Sequence, residues 1–249
     1  MAANPVQVRV IAAIVQIILR KKQHKPFLPC NNVFYMIHVA SFTFNPFAEN
    51  TYVLYDQTRE CLIIDPGCHN EAERKRLIAF IDKEQLKPVL LLNTHCHVDH
   101  VAGNRFVAQR YNLPLAMHRG EEPVLAFAAQ AGLMWGFRIE ESPAASVFYE
   151  EGDVVRFGQS ELEVLFTPGH SPASLSFYSR PDAFVIAGDV LFRGSIGRTD
   201  LPGGSYRTLL TSIEQKLLPL GDEVTVYSGH GTPTTIGHER KHNPFLTEA

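Results

Sequence analysis

A run of histidines and an aspartate directly after an apolar segment constrains this chain more than any other feature. Residues 89–92 (Val-Leu-Leu-Leu) have the composition of a short buried strand. His95 and His97 follow, two positions apart, and on an extended or tightly turned backbone their side chains project to one side. Asp99 and His100 come next, where a helix is predicted to start. Imidazole and carboxylate are ligands of Zn²⁺, Fe²⁺ and Mn²⁺, so the segment predicts a metal site in preference to a solvated, histidine-rich turn.

Three more residues of ligand type each follow a later apolar, strand-like segment. They are His170 after residues 162–166, Asp189 after 183–187 and His230 after 224–227. The pattern Thr-His-x-His-x-Asp-His, with these three residues behind it in this order, resembles the signature of the metallo-β-lactamase superfamily over roughly residues 36–246. The resemblance implies an α/β fold of four layers, an αββα sandwich in which two sheets pack face to face with helices outside.

The resemblance also implies two divalent metal ions and a ligand set for each. The first ion would be held by His95, His97 and His170, the second by Asp99, His100 and His230, with Asp189 bridging the two. Zinc is the expected metal, and iron or manganese are alternatives, because sites with these donors accept all three. Asp99 is in addition the expected catalytic residue, which orients a metal-bridging hydroxide. Asp65 is expected to lie under the site and to hydrogen-bond its loops.

Within the superfamily, the chain is most similar to compact forms of glyoxalase II (hydroxyacylglutathione hydrolase). The similarity lies in Gly197-Arg198-Thr199-Asp200, in the turn over 229–234 and in the ending 239–245. It implies hydrolysis of a thioester such as S-lactoylglutathione by attack of the metal-bridging hydroxide. Long forms of glyoxalase II use an additional C-terminal helical domain to contact glutathione, and this sequence ends at Ala249. Glutathione binding is therefore left open.

Candidate substrate residues lie in and beside the Gly-rich loop that follows Asp189. Arg193, Arg198 and Tyr206 could bind a substrate carboxylate. Arg198 could equally pair with Asp200 and shape the loop. The thiol of Cys96, between two expected ligands, is predicted to point away from them, and His118 is predicted to be structural.

Four other functions are weighed against thioester hydrolysis. A mononuclear iron persulfide dioxygenase of the same superfamily would use His95, His170 and Asp189, but the Gly-His-Gly turn at His230 favours the hydrolase. An exported β-lactamase is disfavoured because no convincing signal sequence is seen. An RNA-processing nuclease is disfavoured by a net charge of −3 and a pI near 6.4, and no nucleic-acid partner is expected. A non-enzymatic metal-binding protein is disfavoured by the complete ligand set.

Residues 1–35 are expected to lie outside the fold, and residues 36–249 to form a single catalytic domain. An apolar segment over 6–19 is interrupted by polar residues and too short to predict a transmembrane helix. A membrane-surface anchor and an extension upstream of a start at Met36 both remain open, with the extension favoured. The four cysteines show no CxxC spacing, which favours a reducing cytoplasm. A small-molecule thioester is the expected partner, and the oligomeric state is left open.

Hydrophobic periodicity and turn residues predict the remaining elements. The predicted strands are 39–44, 51–55, 61–64, 89–92, 115–118, 154–157, 162–166, 174–178, 183–187 and 224–227, and the predicted helices are 69–87, 101–110, 121–134 and 205–217.

Overall fold

Two stacked sheets dominate the computed structural model, which describes residues 36–247. The strands of the first sheet are β1 (His38–Phe44), β2 (Glu49–Tyr55), β3 (Glu60–Ile64), β4 (Lys87–Leu92), β5 (Leu115–Met117) and β6 (Val147–Phe148). They lie side by side in chain order. The pairs β1–β2 and β2–β3 are antiparallel, and the pairs from β3 to β6 are parallel.

The second sheet contains strands from the later part of the chain. They are β7 (Val154–Phe157), β8 (Ser160–Phe166), β9 (Leu175–Ser179), β10 (Phe184–Gly188), β13 (Thr225–Ser228) and β14 (Thr234–Thr235), with the short hairpin β11 (Leu191–Phe192) and β12 (Ser195–Ile196) outside the sheet. The order is β14-β13-β10-β9-β8-β7, and β10 and β13 are parallel.

Helices cover the outer faces of both sheets. They are α1 (Glu71–Lys83), α2 (Val98–Val101), α3 (Asn104–Tyr111), α4 (Glu122–Met134), α5 (Tyr206–Ser212), α6 (Ile236–His242) and α7 (Pro244–Thr247). Ile213–Leu217 continues α5 as a wider π-helical turn. No helix within residues 36–247 is long and apolar enough to cross a membrane.

The core between the sheets follows from the two-residue period of the strands. In β3, Leu62 and Ile64 point into a cluster that also contains Phe157 of β7 and Phe177 of β9. Ile63, between them in sequence, points the other way and packs against α1 and α3. The outer face of the second sheet is covered in the same way by α5 and α6. The four-layer αββα prediction is thus confirmed.

The structure corrects the predicted helix over 101–110, which is two helices, α2 and α3. The break lies at Gly103, whose backbone N–H donates to the carbonyl of Pro66 at 2.6 Å. A Cβ at this position would come within 2.7 Å of that carbonyl and of the Cys68 sulfur. The loop that follows β3 therefore packs directly on the metal-motif segment, and this contact interrupts the helix.

Most other predicted elements are confirmed with shifted ends. The helix predicted over 69–87 is shorter, because the Asn70 side chain caps the first turn by accepting from the Glu73 N–H, and Gln85 is left-handed with φ of 52°. Sequence reasoning missed the short strands β6, β11, β12 and β14, which have too few residues to show a period. Residues 1–35, for which the extension was predicted, lie outside the described residues.

A matched pair of leucine truncations tests the location of the core. Leu62 is fully buried between the sheets, whereas Leu133 on α4 is 59% exposed. We expect Leu62→Ala to lower the free energy of unfolding by about 2–5 kcal/mol, since a cavity is left behind. Leu133→Ala should change it by less than about 0.5 kcal/mol. Urea denaturation followed by circular dichroism measures both, and equal losses would contradict the assigned core.

Candidate metal centre

The expected ligands lie at one edge of the two stacked sheets because several strands end there. β10 and β13 are parallel, and β8 runs in the same direction, since both β8 and β10 are antiparallel to β9. The carboxyl ends of these three strands therefore share one edge, and His170, Asp189 and His230 follow them. His95 follows β4 of the first sheet. The centre is thus built from both sheets.

All seven expected metal-ligand side chains converge there. His95, His97 and His170 form one group whose ligand atoms lie within 4.8 Å of one another, and Asp99, His100 and His230 form a second. A third group of the same compactness contains Asp65 together with His95 and His100.

Asp189 lies between the first two groups and contacts members of both. Its Oδ2 is 3.4 Å from the Nε2 of His170 and 3.5 Å from the Nε2 of His230. Its Oδ1 is 3.4 Å from the Nε2 of His100. Asp99 completes the second group, with Oδ2 3.2 Å from the Nε2 of His230. A carboxylate in this position can serve two ions at once.

Hydrogen bonds on the outer side of the rings fix their orientation. The Nδ1 of His170 lies 2.8 Å from the carbonyl of Arg198, and the Nδ1 of His230 lies 3.0 Å from the carbonyl of Phe47. A carbonyl can only accept, so each Nδ1 carries the proton, and each Nε2 presents a lone pair to the centre. His97 is reversed, since its Nδ1 faces the Nε2 of His170 at 2.8 Å.

Asp65 sets the other two rings through a chain of hydrogen bonds. Its carboxylate accepts from the Thr94 N–H at 2.7 Å and from the Thr94 hydroxyl at 2.5 Å. That hydroxyl lies 3.0 Å from the Nδ1 of His95 and, because its own proton is committed to Asp65, it accepts from this ring. The Nδ1 of His100 is also 3.2 Å from the Asp65 carboxylate. Asp65 thus leaves both Nε2 atoms free to bind metal, in agreement with its predicted place under the site.

The polar atoms left without a partner fit a bound cation. Nε2 of His95, Nε2 of His100 and Oδ1 of Asp189 are buried and make no hydrogen bond within the described part of the chain. Buried groups of this kind are rarely left unsatisfied in native proteins. The Nε2 of His100 and the Oδ1 of Asp189 face each other at 3.4 Å without a hydrogen bond, and divalent ions held by the triads would satisfy all three atoms. The donor set, imidazole and carboxylate, suits zinc, iron and manganese.

The protonation states also suit metal binding. Burial holds the pKa of His95 well below its usual range and lowers the pKa of His97 to about 3 and that of His170 as well, so these rings are neutral. Burial opposes ionisation of Asp99 and Asp189, but the charge of His100 outweighs it and lowers the pKa of both carboxyls. Burial also opposes protonation of His100 and His230, but their contacts with Asp99 and Asp189 outweigh it and raise the pKa of both rings. The first triad thus presents neutral imidazoles and both carboxylates are ionised, the forms that ligate, whereas an ion at the second triad would displace protons from His100 and His230.

Sequence reasoning missed Glu121, a fully buried carboxylate that joins two of the ligand loops. It accepts hydrogen bonds from the Cys96 N–H at 2.9 Å, from the Ser171 hydroxyl at 2.7 Å and from the Ala173 N–H at 2.8 Å. Cys96 lies between two ligands, and Ser171 follows His170. In the sequence, Glu121 looks like the solvated acidic start of a helix, and no local signal marks it as buried.

Cys96 and His118, which also lie near the centre, take the roles that the sequence pattern predicted. The Cys96 thiol lies against the Met117 sulfur at 3.4 Å, and burial raises its pKa well above the usual range, so the thiol is neutral. The His118 ring accepts from the Gly120 N–H at 2.9 Å and packs on Phe166.

The predicted substrate residues lie at the rim. Arg198 lines the cleft over the centre, and its guanidinium makes two 2.7 Å hydrogen bonds to the carboxylate of Asp200. Of the two alternatives for Arg198, this pairing is the arrangement that the structure contains. Arg193 and Tyr206 are exposed and do not line the cleft. Substrate binding by these three residues stays a prediction.

A cleft of about 1040 Å³ opens directly above the donors. Its floor contains His97, Asp99, His170, Asp189 and His230. A small-molecule substrate therefore has access to the centre.

Comparison with known proteins yields consistent similarities. The family model described as Metallo-beta-lactamase superfamily matches residues 44–230. The probable metallo-hydrolase YqgX of Bacillus subtilis is 41% identical over 203 residues, which are 81% of this chain and 93% of that protein. Hydroxyacylglutathione hydrolase GloC of Haemophilus influenzae is 36% identical over 202 residues, 80% of this chain and 93% of GloC.

A solved structure of TTHA1623 in a di-iron-bound form is also similar, with a TM-score of 0.76 and 38% identity. The similarity covers 84% of this chain and 100% of that one. The resemblance predicted from the sequence motifs is confirmed by these matches.

Replacing Asp65 tests whether its hydrogen bonds orient the rings. Asp65 has a left-handed backbone with φ of 48°, which asparagine tolerates, so Asp65→Asn preserves the turn. The amide brings N–H donors toward groups that also donate. We expect metal affinity to fall about 10- to 100-fold, measured by competition with a chromophoric chelator. Asp82→Asn, on the exposed side of α1, is the control. Equal affinities in the two variants would contradict the orienting role.

Glu121 and its exposed neighbour Glu122 offer a second matched pair. Glu121→Gln turns a carboxylate that accepts three hydrogen bonds into an amide with its own donors in a buried site. We expect the free energy of unfolding to fall by about 1–3 kcal/mol, whereas Glu122→Gln should change it by less than about 0.5 kcal/mol. Thermal and urea denaturation of both variants measure this difference, and an unaffected Glu121→Gln protein would count against the joining role.

Proposed function

This chain belongs to the metallo-β-lactamase superfamily, and we propose that it is a metal-dependent hydrolase that cleaves a thioester of the S-lactoylglutathione type. The observation that carries the proposal is the position of Asp189, which contacts both ligand triads beneath an open cleft. The similarity to GloC supports the thioester, because the name of that relative denotes a hydroxyacylglutathione hydrolase.

We assign the ligands as the sequence motifs predicted. One ion would be held by His95, His97 and His170. A second ion would be held by Asp99, His100 and His230, and Asp189 would ligate both ions. Zinc is the proposed metal, with iron and manganese as alternatives. When bound, two such ions lower the pKa of a coordinated water toward about 7 and withdraw charge from a carbonyl oxygen.

Asp99 is the proposed catalytic residue. It is anchored at the start of α2, where the Asn45 amide donates to its backbone carbonyl at 2.9 Å, and its carboxylate faces the floor of the cleft. Its lowered pKa keeps it ionised, so its oxygens can accept a hydrogen bond from the attacking water and orient it. A thiolate leaves without a strong general acid, because a thiol has a pKa near 8.5. The thiol of Cys96 is buried against the Met117 sulfur, and burial raises its pKa well above the usual range, so it is neutral and is not assigned as a nucleophile.

The second candidate, an iron persulfide dioxygenase, needs His95, His170 and Asp189 at one point. These side chains do lie together, with the rings of His95 and His170 4.8 Å apart. The same place holds His97, Asp99, His100 and His230, and this complete two-ion donor set favours the hydrolase.

Two further parts of the proposal concern the whole chain. We propose that residues 36–249 form the catalytic domain and that residues 1–35 are dispensable for turnover. A cytoplasmic location remains a prediction from the cysteine spacing.

Hydrolysis of S-lactoylglutathione by metal-reconstituted protein, under anaerobic conditions, tests the proposed activity. We expect turnover in the intact protein and a kcat at least about 100-fold lower in Asp99→Asn. Metal content and melting temperature are measured on both proteins, so that loss of the fold is distinguished from loss of chemistry. Full turnover in a folded Asp99→Asn protein would contradict the role of Asp99. No turnover in the intact protein, together with oxygen uptake on glutathione persulfide, would establish the dioxygenase.

A further inference from the structure

The residues on the wall of the cleft indicate which kind of substrate would bind there, whereas the metal centre does not. Val124, Phe127, Ala131 and Met134 of α4 line the cleft. Their spacing of three, four and three residues places them on one face of the helix. Trp135 extends this face past the end of the helix and lines the cleft as well. We call these five residues the α4 wall.

The α4 wall exposes a large apolar surface. Phe127 is 44% exposed, Met134 is 75% exposed and Trp135 is 60% exposed. Single exposed apolar residues are ordinary, but a contiguous apolar patch at the mouth of a cleft marks a binding surface. The lining of the cleft also contains the apolar residues Phe192, Ile196, Leu201 and Pro202.

Close packing joins the α4 wall to the metal centre. A Cβ on Gly132 would lie 2.9 Å from the side chain of Val98 and 2.3 Å from the carbonyl of Phe137, so only glycine allows the helix to approach this far. Val98 immediately precedes Asp99. The wall is therefore within reach of a substrate whose reacting carbonyl lies over Asp99.

Charged groups for a polar substrate are scarce in this cleft. Apart from the donors on the floor, Arg198 is the one charged side chain among the described residues that line it, and Asp200 already neutralises that guanidinium in a bidentate pair. The two carboxylates of a glutathione moiety would find little that binds them. Thiol carriers in cells are polar, so the apolar contact belongs to the acyl group.

We propose that the preferred substrate is a thioester of an apolar acyl chain, which lies along the α4 wall with its carbonyl over the metal centre. This inference rests on the proposed function. In the reaction, the oxygen of water bonds to the acyl carbon, and the carbon–sulfur bond breaks with its electron pair going to sulfur. Of the two protons of water, one goes to the thiolate and the other is released to solvent, so that a carboxylate, a thiol and a proton are formed with no change in oxidation state.

A series of S-acylglutathiones from acetyl to octanoyl, with S-lactoylglutathione beside them, tests the inference. The thiol is constant, so differences in kcat/KM report the acyl group alone. We expect kcat/KM to rise about fourfold for each methylene buried against the wall. S-lactoylglutathione should be hydrolysed less efficiently than the octanoyl thioester. A flat or falling series would overturn the inference.

A matched pair of variants on α4 locates the contact. Phe127→Ala removes a ring from the wall and should flatten the dependence on chain length. Leu133→Ala removes an exposed side chain that does not line the cleft and should leave the dependence unchanged. Equal profiles for the two variants would overturn the assignment to the α4 wall.

Binding is measured separately from turnover through Trp135, the single tryptophan of the chain. S-alkylglutathione thioethers have no thioester carbonyl to hydrolyse, so we titrate them into zinc-loaded protein up to an octyl chain. We expect a blue shift of the tryptophan emission and a dissociation constant that falls about fourfold per methylene.

The two readouts separate failure of the inference from failure of the proposed function. Chain-dependent thioether binding without turnover of any thioester would overturn thioester hydrolysis and support the apolar site. Turnover of all thioesters alike, with no response of Trp135 to thioethers, would support thioester hydrolysis and overturn the apolar acyl chain.

Discussion

The convergence of five imidazoles and two carboxylates at one point is the constraint on which the rest of this structure depends. Each ring must present a lone pair inward, and a buried ring does so only if its other nitrogen has a fixed partner. The Arg198 carbonyl, the Phe47 carbonyl and the Thr94–Asp65 pair are such partners, and they come from loops far apart in the chain. The loops are therefore held in place by hydrogen bonds that serve the ligands.

Two buried carboxylates that the proposal does not count as ligands organise these loops. Asp65 ties the end of β3 to the motif segment after β4. Glu121 ties the same segment to the loop after β8, in the other sheet. The two sheets otherwise meet through apolar side chains, whose packing is not directional. The hydrogen bonds of Asp65 and Glu121 are directional, so they fix the positions of the ligand loops more precisely than apolar packing does.

The metal centre and the α4 wall have different proposed roles in substrate recognition. In the proposed reaction, the centre would supply charge and chemistry but would not distinguish one thioester carbonyl from another. The α4 wall, which Gly132 brings close to Val98, offers contact that depends on the size and polarity of the substrate. This division explains how one type of centre can serve different substrates when only the covering helix changes.

The fold and the donor set could be predicted from the sequence because both are encoded locally. Continuous apolar runs such as residues 61–64 predict strands with two buried faces, and the histidines and aspartates stand directly after such strands. The resemblance to the superfamily then implied how the donors are grouped. The helix break at Gly103, by contrast, arises from a contact with Pro66, which lies 37 residues earlier in the chain. No local pattern could predict it.

The sequence by itself determined which residues can bind metal and which strands carry them, since ligand chemistry and strand periodicity are properties of neighbouring residues. Only the tertiary structure decided that Glu121 is buried between two ligand loops, that Arg198 is paired with Asp200, and that the apolar face of α4 lines the cleft. These features depend on which distant segments meet when two sheets and their loops pack together. That packing places the donors in contact and sets the shape of the cleft above them.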